Sequence, residues 1–89
     1  MTDRDPASIE ERVVEIVAEV LGLATAEVGP ETVLAAHAWD SIASLEALAQ
    51  LEARLRVTLD LRVFHGVRTV GDLVAAVAAD DAGRAAAAP

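Results

Sequence analysis

Ala38-Trp39-Asp40-Ser41-Ile42-Ala43-Ser44-Leu45-Glu46 lies where a stretch without periodicity gives way to a helical one. A serine hydroxyl there can act as a nucleophile, accept a covalent group through an ester, or sit inertly at a helix start. Nucleophilic catalysis needs a base within hydrogen-bond reach. The chain offers only His37 and His65, neither in a recognisable motif, and each reads as a surface or packing residue. A Gly-x-Ser-x-Gly turn with its oxyanion hole is also missing. Asp40 is a good N-cap, and that ordinary role alone explains an Asp-Ser pair at a helix start. Three features go beyond it. Ser41 ends a long loop, where a partner can reach it; a helix N-terminus favours a negative group nearby; and nothing in the chain activates the hydroxyl. Such a serine suits attachment through a phosphate ester better than catalysis. Ser44, one turn on, is expected to be half covered.

The elements that must position this serine are helical. Ser8 and Glu11 have capping-box spacing. Ile9, Val13, Ile16, Val17, Val20 and Leu21 then fall on one face, and Gly22 is a stop signal, which predicts a first helix over about 8–22. Residues 23–40 contain Gly29-Pro30 and lack a period. So long a connection in so small a domain usually has a function. Val28, Val33 and Leu34 are expected to pin it to the core, with a helical turn near 31–35. Ile42, Leu45, Leu48, Leu51 and Leu55 mark a second helix over about 41–56. Residues 57–61 alternate like a strand but have no partner strand, so an extended connection is expected. A short helical turn should cover 62–67. Thr69 and Asp72 resemble another capping box, opening a last helix over about 69–79 with Val70, Leu73, Val74 and Val77 on its inner face. Residues 1–7 read as a flexible arm, 8–79 as the domain, and 80–89 as a fraying tail.

Composition agrees. At 89 residues the chain is one domain with a thin core. Its alanine content, with only Trp39 and Phe64 aromatic, favours an all-α fold. The absence of cysteine excludes disulfides, thiolate metal sites and cysteine nucleophiles, and fits a cytoplasmic setting. No apolar run approaches a membrane span, and the polar MTDRDPAS start is unlike a signal peptide. The net charge of −8 disfavours nucleic acid and anionic membranes. The acids concentrate in residues 1–52, with eleven against two arginines, so that part is the candidate face for basic partners.

With these residues in place, the chain resembles the acyl and peptidyl carrier proteins, over about residues 8–79. Asp40-Ser41-Ile42 is similar to the family's Asp-Ser-Leu motif at the start of the second helix. SLEALAQLEARL continues in family style, IEERVVEIVAEVLGL resembles the opening helix, and VTLDLRVFHGVRTVGDLVAAV resembles the closing half. The chain departs from the pattern at Ala38, usually Gly, at His37, often Leu, and mildly at Ile42. The resemblance implies a small four-helix bundle of acyl-carrier type: three main helices, one short helix, and a long loop between the first and second. It implies covalent 4′-phosphopantetheine on Ser41, with Asp40 as helix cap and motif residue. A phosphopantetheinyl transferase, which brings its own magnesium, would attach the arm from coenzyme A. The arm's thiol would then carry acyl or aminoacyl groups as thioesters to loading enzymes and downstream synthases. The chain itself would be a monomer and not an enzyme, binding no metal. Trp39, Ile42, Glu46 and Glu52 are the expected partner-binding residues, with packing the ordinary role for Trp39 and pairing with Arg56 the ordinary role for Glu52.

Within the family, Ala43 and Ala53 stand where fatty-acid carriers often have acids, and Arg54 and Arg56 follow. With ASLEALAQLEARL and the LDLRVF…RTVGDLV ending, this resembles stand-alone carriers of polyketide and nonribosomal-peptide biosynthesis. A carrier of fatty-acid synthesis is the near alternative, and an unmodified helical interaction module the remote one.

Overall fold

The computed structural model describes residues 6–87, with side chains over residues 8–80. Four helices follow in order: α1 (Pro6–Leu21), α2 (Ser41–Leu55), α3 (Leu61–Gly66) and α4 (Val70–Ala87). Two 3-10 turns, Thr25–Glu27 and Leu34–Ala36, interrupt the α1–α2 connection. No strand occurs among the described residues, so the bundle is all-α, as expected.

α1 packs on both α2 and α4, while α3 leans on α4. Ile9, Val13, Ile16 and Val17 bury the inner face of α1. Each fully buried side chain of this size contributes roughly 1.5–3 kcal/mol. The helix starts at Pro6, two residues inside the expected arm, so Ser8 lies within the first turn and is not the cap. Proline suits the first helical position because its fixed φ is already helical and its missing N–H would have had no partner. The rest of the expected arm lies outside the described residues. At the other end Gly22 takes φ +69°, with Leu23 N–H donating to Ala18 O at 2.9 Å and Gly22 N–H to Glu19 O at 3.3 Å. This paired closure is a Schellman motif, and it turns the chain out of α1.

The long connection is stitched to the start of α4. Leu34 N–H donates to Arg68 O at 3.0 Å, Val70 N–H to Thr32 O at 3.0 Å, and Gly71 N–H to Pro30 O at 2.8 Å. The first two bonds flank an isolated antiparallel bridge between Val33 and Thr69. Val28 and Leu34 are buried as expected, but Val33 is 49% exposed. Its neighbour Leu34 enters the core, and in a locally extended segment successive side chains point opposite ways.

The extended 57–61 connection holds over residues 56–60, with Val57 and Leu59 buried. Arg56, at φ 55°, makes the left-handed turn that ends α2. The second capping box is present: Asp72 N–H donates to Thr69 Oγ1 at 3.1 Å, and Asp72 Oδ2 accepts from Thr69 N–H at 3.2 Å and Arg68 N–H at 3.0 Å. α4 then runs to Ala87, well past its expected end at 79, so most of the supposed tail is helical. Residues 80–87 hold four alanines and one arginine, strong helix formers, and no proline, so the helix continues despite Gly83.

Candidate functional site

Asp40 is the N-cap of α2. Its φ/ψ of −96°/−175° are extended, and its Oδ1 accepts from Ala43 N–H at 2.8 Å. The first intrahelical bond, Ser44 N–H to Asp40 O, measures 2.9 Å. The earlier N–H groups of Ser41 and Ile42 therefore have no intrahelical acceptor, and they give the helix start its partial positive charge. Ser41 sits at that first position and is exposed. Ser44 differs: it is only 9% exposed, and its hydroxyl donates to Ser41 O at 3.1 Å. The expectation of half cover understated its burial.

The apolar spacing of α2 needs correction. Its buried face is Ser44, Ala47, Leu48, Leu51 and Leu55. Ile42 is 76% exposed, as suits an expected partner-binding residue, but Leu45, which the apolar spacing groups with Leu48 and Leu55, is 56% exposed. At about 100° per residue, Ile42, Leu45, Glu46 and Ala49 share the opposite face. Small side chains at Ser44 and Ala47 let the start of α2 approach its neighbours, so the inner face there needs no leucine. The result is an outward face beside Ser41 that combines two large apolar groups with one carboxylate, Glu46, also exposed.

Trp39 is half-buried against the core, its ring centroid 6.1 Å from that of Phe64 in α3. Packing is therefore its visible role. Glu52 does not share the outward face of Glu46. It is half-buried, and its Oε2 accepts from Leu59 N–H at 3.3 Å in the α2–α3 connection. This bond to an amide of the next connection replaces the Arg56 pairing expected from i,i+4 spacing, because the left-handed turn at Arg56 ends the helix there. Arg54 instead pairs with Glu19 of α1 at 3.3 Å, both side chains being well exposed. Leu61 and Val63 of α3 are further exposed apolar groups that sequence reasoning did not single out. His37 and His65 are exposed; the His65 ring lies 5.9 Å from Phe64. Among the described residues no three His, Cys, Asp or Glu side chains gather into a metal site, and no helix is long and apolar enough to cross a membrane.

Comparison with known proteins bears on this arrangement. No curated protein matches the sequence. A family model described as the phosphopantetheine attachment site matches residues 11–77, a span that runs from α1 through α4 and includes the Asp40-Ser41 pair. The chain thus belongs to the phosphopantetheine-attachment family of acyl and peptidyl carrier domains, whose members bear 4′-phosphopantetheine covalently on a serine.

Proposed function

We propose that Ser41 is the serine that bears the arm, and that the chain carries intermediates of polyketide or nonribosomal-peptide type. The observation that supports the first part is the contrast between two serines one turn apart. Ser41 is exposed at the start of α2, whereas Ser44 is buried and its hydroxyl already bonded. The surroundings of Ser41 fit a phosphodiester. The free N–H groups at the helix start favour an anion, and Asp40 holds the turn by bonding Ala43 N–H. When bound, 4′-phosphopantetheine supplies a terminal thiol that holds acyl or aminoacyl groups as thioesters. The chain's own residues provide an accessible hydroxyl, a rigid helix start beneath it, and a surface for the enzymes that come to the arm.

That surface supports the second part of the reading. A transferase reaching Ser41 meets Ile42, Leu45 and Glu46, with Trp39 behind the loop. Two large apolar groups and few carboxylates suit a partner whose contact is partly apolar, and that fits this branch of the family better than fatty-acid synthesis.

Intact-mass measurement tests both parts. Co-expression with a broad-specificity phosphopantetheinyl transferase should add one phosphopantetheine mass, mapped to Ser41 by peptide fragmentation. Cargo released from the arm in the native host should be an aminoacyl group or an acyl chain that keeps several β-keto oxygens unreduced. A long saturated acyl chain would move the assignment to fatty-acid synthesis. No mass gain beside a transferase shown to be active would overturn the attachment reading.

A further inference from the structure

Residues 57–60, between the end of α2 and α3, belong to no secondary structure, so their N–H groups need acceptors from elsewhere. Two consecutive ones find carboxylates on two different helices. Thr58 N–H donates to Asp80 Oδ2 of α4 at 3.2 Å, and Leu59 N–H donates to Glu52 Oε2 of α2 at 3.3 Å. The buried side chains of Val57 and Leu59 anchor the same segment in the core. Asp60 follows directly and caps α3, its Oδ1 accepting from Arg62 N–H at 2.8 Å. α3 has only six residues. A helix so short has little stability of its own, so its position depends on what holds its ends. It carries Phe64, which meets Trp39, and Trp39 is followed by Asp40 and Ser41.

We propose that Glu52 and Asp80 are positioning residues: together they hold the α2–α3 connection and, through Phe64 and Trp39, fix the loop that presents Ser41 to its transferase. The proposal rests on Ser41 being the attachment serine. It assigns Glu52 a different chemistry from that of a docking carboxylate. A docking group needs its negative charge. A clamp needs an acceptor oxygen at the right place, which a side-chain amide also supplies. Glu52 and Asp80 act from different helices on different amides, so losing either leaves one amide of the pair without its acceptor.

The test uses the full chain and the variants Glu52→Ala, Glu52→Gln, Asp80→Ala, Asp80→Asn and the double variant Glu52→Ala with Asp80→Ala. Amide hydrogen exchange is followed at Thr58, Leu59 and Phe64, with Val17 and Leu73 as references in the core. The chain's one tryptophan, Trp39, reports on the loop by acrylamide quenching. Transferase kinetics give KM and kcat for loading. Each alanine variant should speed exchange at Thr58, Leu59 and Phe64 about fivefold, the factor for one net hydrogen bond. Val17 and Leu73, which report global unfolding, should rise by no more than the loss of stability read from urea denaturation. Trp39 should become easier to quench, and the double alanine variant should raise KM with kcat little altered. The glutamine and asparagine variants should restore all of these.

Faster exchange confined to Thr58 and Leu59, with Phe64 and Trp39 unmoved, would overturn the link to the loop. A rise at Thr58, Leu59 and Phe64 no larger than the loss of global stability, with Trp39 quenching unchanged, would make the carboxylates general stabilisers and overturn it as well. If Glu52→Gln is loaded as poorly as Glu52→Ala while its exchange is normal, Glu52 is a docking charge and not a clamp. If the unaltered chain is not loaded on Ser41, the attachment reading fails, and exchange and quenching still decide whether the clamp exists.

Discussion

Ser41 and Ser44 show how far local chemistry can be read and where it stops. Asp40 as cap and Ser41 as the exposed first residue of α2 follow from side chains within four positions of each other, and the structure places both as expected. Contacts between distant segments were not legible in this way. The partner of Trp39 is Phe64, and Glu52 reaches Leu59 only because the chain doubles back after Arg56. Ser41→Ala should abolish loading and leave the circular dichroism spectrum and melting temperature nearly unchanged, since the capping oxygen belongs to Asp40. Asp40→Ala should lower stability by about 1 kcal/mol, measured by urea denaturation, because Ala43 N–H loses its acceptor. Ser44→Ala should still be loaded on Ser41. Loading on Ser44 in a Ser41→Ala background would refute the assignment.

Among the elements, α2 was legible as a helix but not in its rotation. Alternating leucines and alanines satisfy more than one helical face, and only tertiary packing selects Ser44 and Ala47 for the inside and Leu45 for the outside. That choice makes Glu46 the carboxylate beside Ile42 and Leu45. Glu46→Lys should slow loading, and the slowing should shrink as salt rises, since exposed charges are screened over roughly 10 Å at 0.1 M. The melting temperature should barely move. A rate unaffected at low salt would leave the contact to the apolar pair. At the start of α4, the N–H groups of Arg68 and Thr69 hold the Asp72 carboxyl below its ordinary pKa. A carboxylate with a depressed folded pKa adds stability above its unfolded value and loses it as pH falls through the folded one. Asp72→Asn should therefore flatten the fall in stability below the ordinary aspartate range and leave the more acidic end least changed. An acid titration as steep as that of the unaltered chain would show that this cap does not contribute to acid sensitivity.

At the scale of the whole molecule, the helix order and the acidic, all-α character were readable from periodicity and composition. The stitching of the α1–α2 connection onto α4 was not, because it is made by backbone groups, which carry no side-chain signature. One residue does betray it. A Cβ on Gly71 would come within 2.9 Å of Pro30 O, the acceptor of the Gly71 N–H bond. Gly71→Ala should therefore destabilise the protein by about 1–3 kcal/mol, the usual range for overpacking, despite alanine's better helix propensity; a gain in melting temperature would refute the close approach. The same stitching has a topological consequence. The Val33–Thr69 bridge closes residues 33–69 into a ring that holds Ser41, all of α2 and all of α3. Opening the bridge gives that whole segment back its chain entropy, so the ring is expected to form or break as one unit. In antiparallel pairs the position flanked by two backbone bonds brings Cα atoms to about 4.5 Å, within reach of a disulfide. Val33→Cys with Thr69→Cys would cross-link a chain that has no other cysteine. By loop-closure entropy, oxidation would stabilise it by up to about 4 kcal/mol, and dithiothreitol should reverse the gain in melting temperature.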